Sequence, residues 1–160
     1  MGGINTYSYA MASPLVKIDP EGLATCLYSI SAGEMYCIST VADKGAFRLK
    51  MTCGNNGNNS NCKNNPDCTD RKNRGCIPQG LWEWTSETTG KLNGRVLAPM
   101  SGTDTFDRSL FQTHRCLNPF GPSKSSPYCS EGCITGTVQD ARRLNRLLDA
   151  EPNSILIVRD

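Results

Sequence analysis

The sequence predicts a β-rich α+β domain that carries one amphipathic helix and is reinforced by disulfide bonds. Three observations indicate this class. Several short runs are crowded with β-branched and aromatic residues, one segment near the C-terminus has the apolar spacing of a helix, and the 160 residues include nine cysteines. A chain of this length can bury a sizeable core, so disulfides would reinforce that core rather than replace it.

Two runs predict a β-hairpin. Residues 35–41 and 46–51 are rich in β-branched and aromatic side chains, and Asp43, Lys44 and Gly45 separate them. Polar residues with a glycine between two such runs are typical of a hairpin turn. Further strands are predicted where a turn at residues 77–82 enters extended structure, over residues 94–97 and over residues 109–114.

The segment over residues 138–149 predicts the helix. Its apolar residues share one helical face: Val138, Ala141, Leu144, Leu147 and Leu148. Thr137 can cap the helix, with Asp140 three residues on as in a capping box. Pro152 ends the helical pattern, and residues 154–158 predict a last buried strand.

The cysteine content indicates an oxidising compartment. The cysteines are Cys26, Cys37, Cys53, Cys62, Cys68, Cys76, Cys116, Cys129 and Cys133. Reduced cytosolic proteins seldom carry this density, and an odd number leaves one thiol unpaired. The N-terminus lacks a basic start followed by an apolar stretch, so it does not resemble a secretory signal. We therefore expect the chain to be a piece cut from a larger exported protein.

Residues 54–75 predict a loop without a hydrophobic face. Seven asparagines fall within residues 55–65, and four cysteines frame the segment: Cys53, Cys62, Cys68 and Cys76. Four thiols can hold a structural zinc ion, but no C-x-x-C spacing is present. The sequence therefore favours a loop stapled by disulfides, with a zinc site as the alternative.

Two classes of function are disfavoured by composition. The net charge of +2, with no stripe of lysine and arginine, argues against nucleic acid as a partner. The longest apolar runs are only a few residues, as at residues 155–158, so no membrane span is expected.

One histidine and one cysteine form the candidate catalytic pair. His114 ends the run at residues 109–114, and Cys133 follows it by 19 positions within the sequence Ser130, Glu131, Gly132, Cys133. Thiol catalysis needs a thiolate, a nearby base and donors for the oxyanion. A glycine before the cysteine permits a tight backbone turn there. The alternative is that the histidine is structural and that the S-x-G-C pattern arises by chance.

The first 23 residues resemble the closing motif of rearrangement-hotspot (Rhs) repeat cores. They contain the patterns G-x-N-x-Y-x-Y at residues 3–9 and D-P-x-G-L at residues 19–23. The resemblance implies that residues 1–23 are the remnant of an upstream Rhs core cage. It also implies an autoproteolytic cut after Leu23 and a C-terminal toxin beyond it. An ordinary turn-rich linker is the alternative.

Residues from about Cys62 to Val158 resemble the L,D-transpeptidase catalytic domain, in the interbacterial effector branch that is delivered by type VI secretion. Four ordered segments carry the resemblance: residues 64–66, 77–80, 107–114 and 130–134. It implies an L,D-transpeptidase-like β-sandwich or barrel over residues 24–160. The chain departs from the family at Arg115, where glycine is usual, and at Thr135, where many classical members have arginine.

The same resemblance implies roles for the site residues. Cys133 would be the nucleophile and His114 the general base. Ser130 and Gly132 would shape the loop, and the backbone N–H groups of Gly132 and Cys133 would serve as oxyanion donors. No cofactor is implied, because the thiolate supplies the nucleophile and backbone dipoles supply the electrostatics.

The implied substrate is the stem peptide of peptidoglycan. Cys133 would attack the carbonyl of its third residue and expel the terminal D-alanine. The thioester would then pass to water, to a free D-amino acid or to a second stem. Such a toxin would be exported from its producer, act in the periplasm of the target cell and be neutralised in the producer by a cognate immunity protein.

A free Cys133 leaves eight cysteines, which is enough for four disulfides. Pairing Cys116 with Cys129 would fasten the segment that bears His114 to the nucleophile loop, with residues 117–128 closed between them. The alternative is that either cysteine packs as a small apolar side chain.

Two other functions use the same residues differently. A cysteine peptidase or acyltransferase toxin could act on a cytosolic protein, although reducing cytosol would open its disulfides. A wall-binding or structural module with a degenerate site would use neither His114 nor Cys133 for chemistry.

Overall fold

The computed structural model describes residues 23–39, 45–90, 92–117 and 129–160. Eight strands and one α-helix form within these ranges. The strands are β1 (Thr25–Ser29), β2 (Glu34–Ser39), β3 (Gly45–Cys53), β4 (Gly80–Thr89), β5 (Gly94–Pro99), β6 (Gln112–Arg115), β7 (Ile134–Gly136) and β8 (Ile155–Arg159). The helix is α1 (Val138–Ala150). The predicted Rhs remnant at residues 1–23 lies outside the described residues except for Leu23, and the predicted hairpin turn at residues 43–44 lies outside them too.

The strands close into a barrel in the order β1, β2, β3, β7, β6, β5, β4, β8. Neighbouring strands are antiparallel except for two parallel pairs, β1 with β8 and β6 with β7. The predicted β-rich class with one helix and disulfides is therefore confirmed for the described residues, in the form of a barrel. Of the candidate catalytic residues, His114 lies in β6, and Cys133 directly precedes β7.

Alternating burial along the strands fills the barrel with side chains. In β2 and β8 every second residue is buried, as a half-buried strand requires. Trp82 and Trp84 are almost fully buried, and their indole N–H groups donate to Pro78 O (3.1 Å) and Thr113 Oγ1 (3.0 Å). The ring of Trp82 meets Phe111 edge-on, with centroids 5.0 Å apart. This packing connects the core to the segment that precedes His114.

Helix α1 lies against β3, β6 and β7 and covers the strands that carry the site. Thr137 caps it as predicted, because its Oγ1 accepts from the N–H of Asp140 at 3.1 Å. The buried face holds Ala141, Leu144, Leu147 and Leu148. The predicted helix over residues 138–149 is confirmed and extends by one residue to Ala150.

The predicted hairpin forms from β2 and β3, which pair antiparallel with Cys37 opposite Phe47. The strand predicted over residues 109–114 is corrected, since β6 begins only at Gln112. Leu110 has a φ of +64°, and such a backbone conformation cannot continue a strand. Strands β1 and β7 were not predicted.

All nine cysteines lie within the described residues, and eight of them form disulfides. The pairs are Cys26–Cys37, Cys53–Cys76, Cys62–Cys68 and Cys116–Cys129. The disulfides Cys53–Cys76 and Cys62–Cys68 cross-link the asparagine-rich segment as predicted. They leave no thiolate there for a metal ion, so the zinc alternative is wrong. The pairing of Cys116 with Cys129 is confirmed, and Cys133 is the free thiol.

Candidate active site

The pairing of β6 with β7 brings His114 and Cys133 to the same cavity. Thr113 pairs with Ile134 and His114 pairs with Thr135. Cys133 directly precedes Ile134, the first residue of β7, so this pairing places it next to the strand that carries His114. Both line a cavity of about 470 Å³. The predicted pair is thus brought together by residues that adjoin in the barrel and not in the sequence.

The Cys133 thiol is partly exposed to this cavity, and its Sγ lies 3.7 Å from the carbonyl oxygen of Leu110. Burial raises the pKa of this thiol above its usual value. The backbone N–H of Gln112 and the Arg108 guanidinium oppose that rise, while Glu131 adds to it. A protonated thiol at neutral pH needs a base before it can attack a carbonyl.

His114 is held in the tautomer that such a base requires. Its Nδ1 lies 3.0 Å from the carbonyl oxygen of Arg115, and a carbonyl only accepts, so Nδ1 carries the proton. The lone pair is then on Nε2. Burial lowers the pKa of His114 below 6.5, and its bond to the Arg115 carbonyl opposes this shift. No hydrogen bond joins the imidazole to the thiol, although both side chains belong to the described part of the chain.

Ser130 shapes the nucleophile loop from within. Its Oγ donates to the carbonyl of Cys133 and accepts from the N–H of Gly132 at 3.0 Å. Of the two N–H groups expected to bind an oxyanion, that of Gly132 is therefore already engaged, which leaves the N–H of Cys133. The buried Asn55 side chain donates to the Ser130 carbonyl at 2.9 Å and anchors the loop to the stapled segment.

Arg108 is the site residue to which sequence reasoning assigned no role. Its guanidinium is buried and donates to four carbonyl groups. These are Thr69 O (2.5 Å), Cys76 O (2.7 Å), Gly75 O (2.7 Å) and Glu131 O (3.2 Å). The guanidinium carbon also lies 4.9 Å from the centre of the Phe111 ring. Arg108 thereby joins the nucleophile loop to the stapled segment, a contact for which the sequence offers no local signal.

The approach of Arg108 explains why residue 132 is glycine. Gly132 has a φ of +143°, which L side chains rarely adopt. A Cβ atom at this position would overlap Arg108 Nη2 and would lie 3.1 Å from the Gly75 carbonyl. The glycine of the S-x-G-C pattern therefore gives the guanidinium room beneath the nucleophile.

The disulfide Cys116–Cys129 connects the segment that bears the base to the nucleophile loop. Cys116 follows His114 by two residues, and Cys129 lines the cavity beside Cys133.

Replacing both Cys116 and Cys129 with alanine should lower the free energy of unfolding by about 3 kcal/mol and should also lower activity. The same double replacement at Cys26 and Cys37 is a matched control, since that pair joins β1 to β2 outside the cavity. It should lower the melting temperature but not the activity. Equal activity of the two variants would show that Cys116–Cys129 does not organise the site.

The pH dependence of activity should follow His114. The base must be neutral to accept a proton, so activity is lost as the pH falls through the pKa of His114. Because burial places that pKa below 6.5, the acid limb of kcat/KM should be centred below pH 6.5. Measuring kcat/KM against pH tests this expectation. An acid limb centred near or above pH 7 would contradict the neutral, buried imidazole.

Two properties of the described residues concern cofactors and membranes. No group of three or more histidine, cysteine, aspartate or glutamate side chains in these ranges could hold a metal ion. No helix in the part of the chain that the structure describes is long and apolar enough to cross a membrane.

Comparison with known proteins gives a similarity of fold. No family model matches the chain, and no curated protein matches it. Among solved structures, the fold is similar to that of an L,D-transpeptidase (Yku) from Stackebrandtia nassauensis, with a TM-score of 0.49 and 13% sequence identity. The match covers 89% of this chain, and this chain spans 58% of that protein.

Proposed function

We propose that this chain is a cysteine acyltransferase that acts on peptidoglycan stem peptides, with Cys133 as nucleophile and His114 as general base. The observation that carries the proposal is that a free thiol and a neutral imidazole share one cavity while the other eight cysteines are paired. Support for the wall as substrate comes from the four sequence segments that resemble L,D-transpeptidases.

The proposed reaction has two acyl-transfer steps. Nε2 of His114 takes the Sγ proton of Cys133, and the thiolate attacks the carbonyl carbon of the third stem residue. The N–H of Cys133 stabilises the oxyanion. The C–N bond to D-alanine then breaks, and the imidazolium returns its proton to the leaving amine. The resulting thioester is resolved by water, by a D-amino acid or by the amine of a second stem.

We also propose the biological setting as part of this function. The chain would be an antibacterial toxin that is released from an Rhs cage, exported by type VI secretion and active in the target-cell periplasm. A cognate immunity protein would protect the producer. The four disulfides support an oxidising site of action. The Rhs origin is supported by the resemblance at residues 1–23.

Purified protein tests the reaction when it is incubated with muropeptides rich in tetrapeptide stems. These stems should become tripeptides with release of D-alanine, and an excess of another D-amino acid should divert product into stems that end in that residue. Cleavage of the glycan with intact stems would contradict the proposed bond. Loss of D-alanine from pentapeptides alone would mean D,D specificity. An unchanged muropeptide profile, with Cys133 still needed for killing, would favour a protein substrate.

A further inference from the structure

The buried guanidinium of Arg108 forms no salt bridge with a carboxylate of the described residues. The side chain is 8% exposed, yet no aspartate or glutamate forms a salt bridge with it within the residues that the structure describes. The four carbonyl groups that accept its hydrogen bonds, among the residues described, all belong to the backbone. Carbonyl dipoles solvate a guanidinium but do not neutralise it, and a buried cation is costly unless an anion is near. Among the described residues, the negative groups that act on the guanidinium are Cys133, when it is ionised, and Asp70, which forms no salt bridge with it.

The guanidinium faces the nucleophile loop. Nη2 donates to the carbonyl of Glu131 and packs against the α-carbon of Gly132, where any Cβ atom would overlap it. The next residue is Cys133, and both Arg108 and Cys133 line the same cavity. When Cys133 is ionised, it supplies a negative charge in the cavity that the Arg108 guanidinium borders. The electrostatic coupling between the two groups is mutual, because each favours the charged form of the other.

His114 is poorly placed to supply the positive charge beside an ionised Cys133. A protonated His114 would have to carry its charge in a buried setting that disfavours it, and its Nδ1 proton is directed at the Arg115 carbonyl. Its ring makes no hydrogen bond to the thiol, so in the free protein a protonated His114 is not paired with Cys133. His114 is suited to accept a proton, which is a different role.

We propose that Arg108 is the counter-charge of the Cys133 thiolate and the residue that positions its loop, so that the thiolate depends on Arg108 and not on a protonated His114. The proposal rests on Cys133 being the reactive thiol of the proposed function, but it does not depend on the substrate. Among the described residues, the other charged or titratable side chains around the cavity are Lys72, Asp107 and Glu131, and Asp70 acts on Arg108 without forming a salt bridge.

Alkylation of folded protein by neutral iodoacetamide, with the disulfides intact, tests this dependence. The rate at Cys133 is measured against pH, and peptide mapping confirms the site of modification. Arg108→Gln should raise the midpoint of the rate-against-pH profile by about one pH unit. Alkylation at pH 7 should then become about tenfold slower. Arg108→Lys should stay much closer to wild type in rate, although the lysine loses the forked contacts and should lower the melting temperature. Arg48→Gln removes an exposed arginine of β3 and should match wild type.

His114→Ala separates the two possible partners of the thiolate. Its alkylation profile should stay within about twofold of wild type, because the counter-charge remains. An unchanged rate in Arg108→Gln, or an equal slowing in His114→Ala, would overturn the proposal. Should Arg108→Gln fail to fold, the uncharged Arg108→Met takes its place with the same expected slowing. An equal slowing in His114→Ala refutes the proposal. Since iodoacetamide needs no wall substrate, failure with muropeptides leaves this result intact.

Discussion

Replacement of Cys133 with alanine should abolish turnover and toxicity while leaving the fold intact. The thiol is partly exposed and takes part in no disulfide, so its loss removes little packing. Loss of an attacking side chain typically lowers kcat by about 10⁴–10⁶-fold. His114→Ala should lower kcat by about 10²–10⁴-fold, as expected for a general base.

The measurement is expression in a bacterium with and without periplasmic targeting. Wild type should lyse or deform cells only when it is sent to the periplasm, and both variants should be harmless there. Equal melting temperatures of wild type and Cys133→Ala are the control for folding. Undiminished killing by the folded alanine variant would falsify the enzymatic account. Killing confined to cytosolic expression would instead favour an enzyme that acts on a cytosolic protein.

Gly132→Ala should impair both activity and stability through a single methyl group. The new Cβ atom would overlap Arg108 Nη2 and would lie 3.2 Å from Cε1 of Phe111, on a backbone with a φ of +143°. Overpacking costs about 1–3 kcal/mol, and an unfavourable backbone conformation costs about as much again. Displacing the nucleophile by about 1 Å can lower the rate by about 10²-fold.

Gly90→Ala is the matched control, because a Cβ atom at Gly90 meets nothing within 4 Å. The free energy of unfolding of this variant should lie within about 0.5 kcal/mol of the wild-type value, and the variant should keep full activity. Chemical denaturation and the muropeptide assay together make the comparison. A Gly132→Ala protein as active and as stable as Gly90→Ala would show that the close approach of Arg108 is dispensable.

Features that depend on local pattern could be predicted from the sequence. Helix α1 combines a regular apolar period with a capping threonine, and each signal is contained within a few residues. The β2/β3 hairpin is similar, since its two strands adjoin in the sequence. The odd number of cysteines predicted one free thiol, and the resemblance identified it as Cys133. These predictions needed no knowledge of the tertiary arrangement.

The remaining features arise from long-range contacts. Strand β7 has three residues, and its backbone is extended because it pairs with β3 on one side and β6 on the other. No local propensity in the sequence indicates this pairing. Leu110 adopts a positive φ with its side chain 86% exposed, although the residues around it favour an extended backbone. Arg108 and Asn55 contact the nucleophile loop from 23 and 75 positions away. A sequence pattern shows that these residues are polar but not that they are buried against the nucleophile loop.

The most direct test of the central claim is to trap the acyl-enzyme. Purified protein is mixed with a tetrapeptide muropeptide, quenched in acid within the first turnover and measured as intact protein by mass spectrometry. We expect a mass increase equal to the muropeptide acyl group without D-alanine, a thioester that peptide mapping places on Cys133, and no adduct in Cys133→Ala. An adduct on another residue, or conversion of stems by Cys133→Ala, would contradict Cys133 as the nucleophile.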